Sequence, residues 1–378
     1  MRNWILIILF FWGTLARANG RKNEDILNKA EKLMLADPKE SFELAKKAYN
    51  SNMLNHQDKL QALFILTNTS NLLQNPLDVV RYGNDALKIA DNKNDVVTKI
   101  KILGILGNTY QFLQLNEKTR IYLDQAELLL SSPKISDSLN LVKGNIFYLK
   151  GMNYFYSLDS DIAFSYFNKA INQYVNSKNP LAEINIKLAY LNRAYALIQQ
   201  KKLNEASESL KLASINPNES SRPYPPQFIE LQESFIALGQ ANILSLEGKP
   251  GPSNEILFDI LEKRKNAPSR DDIENEVFKL LSENFLQLND IKKHDHYEQI
   301  FLMNVEQSNR DAAKWVNKLI LQENSQNEEE KKYTDQKYIT IISLTSVLLG
   351  SIIIFLLVKL NKINKKRSLL KNKVSENI

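Results

Sequence analysis

Six small residues, Thr67, Gly107, Gly151, Ala194, Gly239 and Ser282, return along the chain at intervals of 40, 44, 43, 45 and 43. No other feature restricts the fold so tightly. A small residue recurring inside apolar stretches of helical periodicity marks places where two helix backbones approach closely, with larger neighbours filling the groove beside the contact. A unit of this size cannot bury its apolar face alone, so successive units stack and the chain grows by addition. The 378 residues therefore read as one elongated array and not as several globular domains.

The clearest unit is "YLKGMNYFYSLDSDIAFSYFNKAI", in which Gly151 and Tyr154 are followed by Ala163, Phe167 and Ala170. Its neighbours keep the register. One supplies Leu106, Gly107, Tyr110, Leu123 and Ala126, with Thr119 in the first alanine slot; the other supplies Ala194, Leu197, Ala206, Leu210 and Ala213. Weaker copies centre on Thr67, on Gly239, where the stretch "GKPGPSN" reads as a Pro/Gly-rich insertion, and on Ser282. These units resemble tetratricopeptide repeats. In that family two antiparallel helices meet through a small residue, an aromatic three positions later, and an Ala-x3-aromatic-x2-Ala face on the second helix. The resemblance implies an all-α, superhelical solenoid of about seven helical hairpins over residues 23–305. The family's usual period is about 34 residues, so each pair here is longer by roughly two helical turns.

Helix starts fit the register. Asp37-Pro38-Lys39-Glu40 combines an N-cap acid, proline at the first helical position and an acid at the third, and Asn75-Pro76 repeats the device. Pro133, Pro180 and Pro217 fall between units, where helices must stop. No segment alternates like a strand.

The two ends follow other rules. Arg2, an apolar run from Trp4 to Leu15 and Ala16-Arg17-Ala18 form a secretory signal peptide over residues 1–18, too short in its apolar part to span a bilayer. With no cysteine, an exported domain holds together by packing alone. Residues 306–337 begin with a stripe of Ala312, Trp315, Leu319 and Ile320 suited to capping the last repeat. They continue as "ENSQNEEEKKYTDQK", whose Glu328, Glu329, Lys331 and Lys332 lie at helical spacing; residues 322–337 fit both a helical rod and a flexible linker. Residues 338–358 carry no charge and are long enough to form a single transmembrane helix, with Tyr338 at an interfacial position.

The formal charge of +6 invites a nucleic-acid reading until it is located. All of it sits in the stub 359–378, where Lys359, Lys362, Lys365, Lys366, Arg367, Lys371 and Lys373 face only Glu376. A basic flank after a span marks the cytoplasmic side. The topology that follows is a single pass through the inner membrane of a Gram-negative bacterium, with the repeats periplasmic and the C-terminus inside; the chain itself binds no nucleic acid. In the stub, Leu360, Ile363, Leu370 and Val374 approach a heptad seam interrupted by Arg367, which leaves open a homodimer or a cytoplasmic partner.

No P-loop, dinucleotide fingerprint, nucleophile elbow or zincin motif is present, so neither an enzyme nor a cofactor is expected. His294 and His296 invite a metal, but residues two apart on a helix diverge by about 200°, and no metal is expected. Stacked hairpins bind other chains along the concave surface of their first helices. By register that surface presents Lys101, Asn108 and Gln111, then Asn145, Tyr148, Met152, Phe155 and Tyr156, then Leu191 and Tyr195. An exposed aromatic cluster there suggests a protein or peptide site, and the competing reading makes the same aromatics filler between longer helices. Some family members grip a C-terminal carboxylate; the matching places here hold Gly104, Asn108, Leu149, Leu188 and Asn192, so no clamp is expected. The function expected is a membrane-anchored interaction module holding a periplasmic or envelope protein or peptide. The order of parts is also similar to membrane-anchored tetratricopeptide regulators, here without their helix-turn-helix output domain, and that resemblance implies a signal-transducing receptor.

Overall fold

The computed structural model describes residues 22–51, 54–93, 95–132, 139–215, 226–265 and 272–375. The expected signal peptide, Pro133 and Pro217 lie outside them. Fourteen α-helices and no strand occur among the described residues. They are α1 (Lys22–Leu33), α2 (Pro38–Tyr49), α3 (His56–Leu72), α4 (Pro76–Lys93), α5 (Val96–Phe112), α6 (Asn116–Leu130) and α7 (Asn140–Tyr156). The second half of the array holds α8 (Ser160–Val175), α9 (Leu181–Gln199), α10 (Leu203–Ala213), α11 (Pro226–Leu246), α12 (Pro250–Lys263), α13 (Asp272–Gln287) and α14 (Ile291–Ser375). Odd and even helices pair as hairpins, and each odd helix also packs on the next odd helix, which is the stacking the repeat requires. The seventh hairpin joins α13 to the start of α14: Ser282 meets His294, and Tyr297 stacks on Phe278 and Phe285.

Six hairpins turn in the same way. Gln74, Gln114, Leu158, Lys201, Gly248 and Asn289 all take left-handed backbone angles, with φ between 55° and 74°. At each of these turns the next residue's N–H reaches back to the last turn of the first helix, as Leu115 does to the Tyr110 carbonyl at 2.9 Å and Asp290 to the Phe285 carbonyl at 2.9 Å. The turn residue itself bonds three residues back, Lys201 to Ile198 at 2.9 Å for example. This double bond satisfies carbonyls that a helix end otherwise leaves open. Five of the six turn residues stand seven places after Thr67, Gly107, Gly151, Ala194 and Ser282.

The sixth corrects the sequence reading. Seven places before Gly248 is Ala241, which is fully buried and whose carbonyl accepts from the Ser253 hydroxyl of the second helix at 2.8 Å. Gly239 instead faces the preceding hairpin, where an added Cβ would lie 2.9 Å from Leu210. Nor is "GKPGPSN" an insertion: Gly248 makes the turn and Pro250 opens α12 at its first helical position.

The small-residue argument holds where it was strongest. A Cβ on Gly107 would come within 2.7 Å of Leu123, and one on Gly151 within 2.7 Å of Phe167, so each glycine admits the large residue of its own second helix. Gly144, which the register did not single out, does the same for Tyr174. Ala126, Ala163, Phe167, Ala170, Ala194, Ala206 and Ala213 are all fully buried. The cap at α2 forms as read, with the Glu40 N–H donating to Asp37 at 2.9 Å, and Asn75 and Asp78 bond each other ahead of α4.

The layers differ in how they are covered. Every residue from Ile100 to Tyr110 of α5 is buried, whichever way it points, whereas α6 buries only Thr119, Leu123 and Ala126. A first helix touches its own partner and both neighbouring hairpins; a second helix keeps one face in water.

The described residues up to Val316 form one compact unit and those from Asn317 another. Within the second, α14 stays helical through 322–337, which resolves the choice between rod and linker in favour of helix. Among the described residues no helix is long and apolar enough to cross a membrane; side chains from 347 onward, which make up most of the expected span, lie outside them. Ile339, Ile341, Ile342 and Leu344, at its described start, are exposed. In the expected capping stripe Leu319 is buried but Ile320 is exposed.

Candidate functional site

Counted from the small residue of each hairpin, the inward face of the first helices consists of positions −6, −3, +1 and +4, successive steps of three and four residues that share one side of a helix. In α3 these are Gln61, Phe64, Asn68 and Asn71; in α5, Lys101, Gly104, Asn108 and Gln111; in α7, Asn145, Tyr148, Met152 and Phe155. In α9 they are Leu188, Leu191, Tyr195 and Ile198, and in α13, Glu276, Lys279, Glu283 and Leu286. The chemistry along the face changes from carboxamides at the N-terminal end to aromatic and aliphatic groups in the middle and charges at the C-terminal end.

The middle is not the exposed aromatic cluster that the register suggested. Tyr148, Met152, Phe155, Leu191 and Tyr195 are all buried, and only Gln111 and Tyr156 of the expected groove residues are half-buried. The reason lies in the stacking. Asn192 of α9 donates to the Tyr148 hydroxyl at 2.8 Å, Asn185 to the Asn145 carboxamide oxygen at 2.9 Å, and the Tyr195 hydroxyl to the Phe235 carbonyl of α11 at 2.7 Å. These bonds span about one repeat in sequence and draw consecutive first helices together. Tyr174 adds a second contact to Asn145, its hydroxyl donating to the same oxygen at 2.9 Å. Burial holds the phenols of Tyr148, Tyr174 and Tyr195 well above the usual tyrosine range, so they remain neutral donors and acceptors. The middle of the face is therefore a narrow, preformed floor and not an open platform.

Two buried lysines have opposite environments. Lys101 lies over the Phe64 ring at 5.2 Å, and burial lowers its pKa to about 7, against smaller opposing effects of Asp95 and Glu31. Lys150 points to the second-helix layer. It meets Asp124 at 2.6 Å and also Glu127, and it sits over Tyr166, whose hydroxyl donates to Glu127 at 2.9 Å. Burial works against its charge, but the two carboxylates and Tyr166 outweigh it and hold the ammonium above its ordinary range. Tyr154, stacked on Tyr166 at 5.6 Å, belongs to this cluster and is half-buried.

At the C-terminal end, Glu276 and Glu283 hold the corresponding register positions of α13. Glu283 is exposed and 3.9 Å from Lys279. These residues, and Gln61, Phe64, Asn68 and Asn71 at the other end, belong to the weaker copies of the repeat, beyond the three clearest hairpins. The same offsets extended to Thr67 and Ser282 find all of them.

His294 and His296 diverge as their spacing requires. The His294 ring bonds the Ser282 hydroxyl and carbonyl through Nδ1, at 2.8 and 3.1 Å, and His296 packs edge-on against Tyr297. Donor atoms of His294, Asp295 and Glu298 lie within 4.8 Å of one another, on an exposed part of the helix.

These observations define a solenoid of stacked helical hairpins with an inward face shaped by its own repeats. Comparison with solved structures gives the class a narrower name. NprR in complex with its cognate peptide NprX superposes with a TM-score of 0.59 at 12% identity, covering 79% of this chain and 82% of that one. The apo form of the quorum sensor NprR from B. thuringiensis gives 0.56 at 12% identity over 79% of each chain. The apo form of RapI gives 0.51 at 14% identity over 78% of this chain and 79% of that one. By fold, the protein is a helical-repeat protein of the tetratricopeptide type. No family model matches its sequence, and no curated protein does.

Proposed function

We propose that the protein is a non-catalytic, membrane-anchored interaction module that holds a periplasmic protein or peptide along the inward face of its first helices. The observation that carries this reading is the preformed floor: Tyr148, Asn145 and Tyr195 are fixed by bonds to the adjacent hairpin, so a bound chain meets ordered side chains and loses little of its binding energy to ordering them. The fold supports it, since NprR, similar over most of both chains, is seen with a peptide bound. Membrane anchoring is supported by the uncharged run 338–358, by its exposed isoleucines and leucine at the described start, and by the strongly basic flank after it. Export is supported by the signal-peptide pattern of residues 1–18.

The test is site-specific photocrosslinking in cells. A photoreactive residue at Gln111, half-buried on the inner face, is expected to trap a partner, whereas the same residue at Leu128 on the outer helix α6, which is exposed, traps none. Equal capture at both sites would remove the groove. A second reading, a signal-transducing receptor related to the membrane-anchored regulators, is favoured by one feature: α14 runs as one helix from the seventh hairpin to Ser375. Glycine pairs inserted near Gln322 then abolish signalling while partner capture persists; loss of neither would leave the scaffold alone.

A further inference from the structure

We infer that the first turns of α14 form a binding site for a zinc-type divalent cation, ligated by His294 Nε2 and the carboxylates of Asp295 and Glu298. His296 takes no part, because the helix turns it about 200° away from His294. Glu298 stands one turn after His294 on the same face, and Asp295 lies three residues before Glu298. One donor atom from each of the three lies within 4.8 Å of the other two. His294 Nε2 is 3.7 Å from a Glu298 oxygen, too long for a hydrogen bond. It is close to the spacing of about 3.3 Å that two ligand atoms adopt around a tetrahedral zinc ion.

The neighbouring helix prepares the imidazole. Its Nδ1 lies 2.8 Å from the Ser282 hydroxyl and 3.1 Å from the Ser282 carbonyl of α13. A carbonyl only accepts, so in the neutral ring Nδ1 carries the proton and Nε2 presents its lone pair beside Glu298. Orientation of a ligating histidine through its other nitrogen is the usual support of a zinc site, and here it comes from outside the three ligands. With its side chain only 18% exposed, the ring is already held in place and gives up little freedom when an ion binds.

Charge and donor type agree with this assignment. Asp295 and Glu298 repel each other at their spacing, while the adjacent Lys293 is engaged by Asp290 at 3.2 Å and by the Phe285 ring. A dication offsets the repulsion. One imidazole with two carboxylates suits zinc, whereas calcium and magnesium prefer oxygen donors throughout. Three protein ligands leave a tetrahedral ion one position open to water.

The test is isothermal titration of Zn²⁺, and separately of Mg²⁺, into the full-length protein in mild detergent after treatment with a chelator. Saturable zinc binding at one ion per chain is expected, with no response to magnesium. Glu298→Gln and Asp295→Asn, both on the exposed side of the helix, should each weaken zinc binding, and the double variant should abolish it; His296→Ala should leave it unchanged. Thermal melts establish that every variant is folded. No saturable zinc binding to the unaltered chain, binding that survives in the folded double variant, or equal loss in His296→Ala would overturn the site.

Discussion

Position +1 of the inner face is Met152 in the fourth hairpin and Glu283 in the seventh; one is buried and the other is open to water. Both stand one residue after the small residue that closes their hairpin, so local geometry does not separate them. What differs is the neighbourhood: α7 is packed between α5 and α9, whereas α13 has only α11 beside it among the first helices. Burial in a stacked array is thus set by rank in the stack as much as by the residue. An array of this kind has a rigid, closed middle and an accessible end.

The comparison can be broken most severely at Gly151. A side chain there must displace Phe167, whose ring would lie 2.7 Å from the new Cβ, so Gly151→Val is expected to cost about 3 kcal/mol or more and to melt the central hairpins. Glu283→Val, one position on in the terminal hairpin's register, should change stability by about 0.5 kcal/mol or less. Urea denaturation followed by circular dichroism distinguishes them; similar midpoints would show that the middle is not the stiffer region. The buried and exposed lysines make a second pair. Lys150→Met strands Glu127 and Tyr166 beside a lost countercharge and should cost about 2 kcal/mol, less than a fully buried pair because Asp124 is half in solvent. Lys279→Met, at an exposed pair, should be nearly silent.

Much of the middle was legible in the sequence and little of the end was. Gly107, Gly151 and the alanines that oppose them could be read because each satisfies a local steric condition repeated at a fixed interval. The turns carry the same regularity but hide it, since Gln74, Gln114, Leu158 and Lys201 adopt a conformation that glycine signals more plainly. Gly239 misled because small size indicates close approach without saying to which helix. For Tyr148 and Tyr195, aromatic density marked importance correctly and exposure wrongly: their hydroxyl partners lie about forty residues away, in another hairpin, and no local pattern records them.

Lys101 sharpens the comparison through pH. Its pKa near 7 lies below the ordinary value of 10.5, so above pH 7 the unfolded chain holds a proton that the folded chain does not. Stability from this group therefore rises as pH increases from about 7 towards 10.5 and is lowest below that window. Lys101→Met is expected to raise stability at pH 6 by about 1 kcal/mol or more and to flatten the slope between pH 7 and 10. Thermal melts at pH 6, 7.5 and 9 measure it, and an unchanged slope would show that the ammonium keeps its charge in the groove.

The smallest effect concerns the turns, where the fourth and sixth hairpins use one geometry with different residues. Leu158 holds φ at 60° with its side chain exposed, so its only large contribution to the native state is the strain of a left-handed conformation. Leu158→Gly removes that strain, but glycine also widens the unfolded ensemble, and the two effects oppose each other. Because the strain is the larger, the variant should gain about 0.5 kcal/mol. Gly248→Ala in the sixth hairpin runs the exchange backwards: nothing lies within 4 Å of the added Cβ, so any loss, expected near 1 kcal/mol, comes from the backbone alone. If both substitutions destabilise, Leu158 is making a contact that its exposure does not suggest, and the turn edge of the fourth hairpin becomes the next surface to map for a partner.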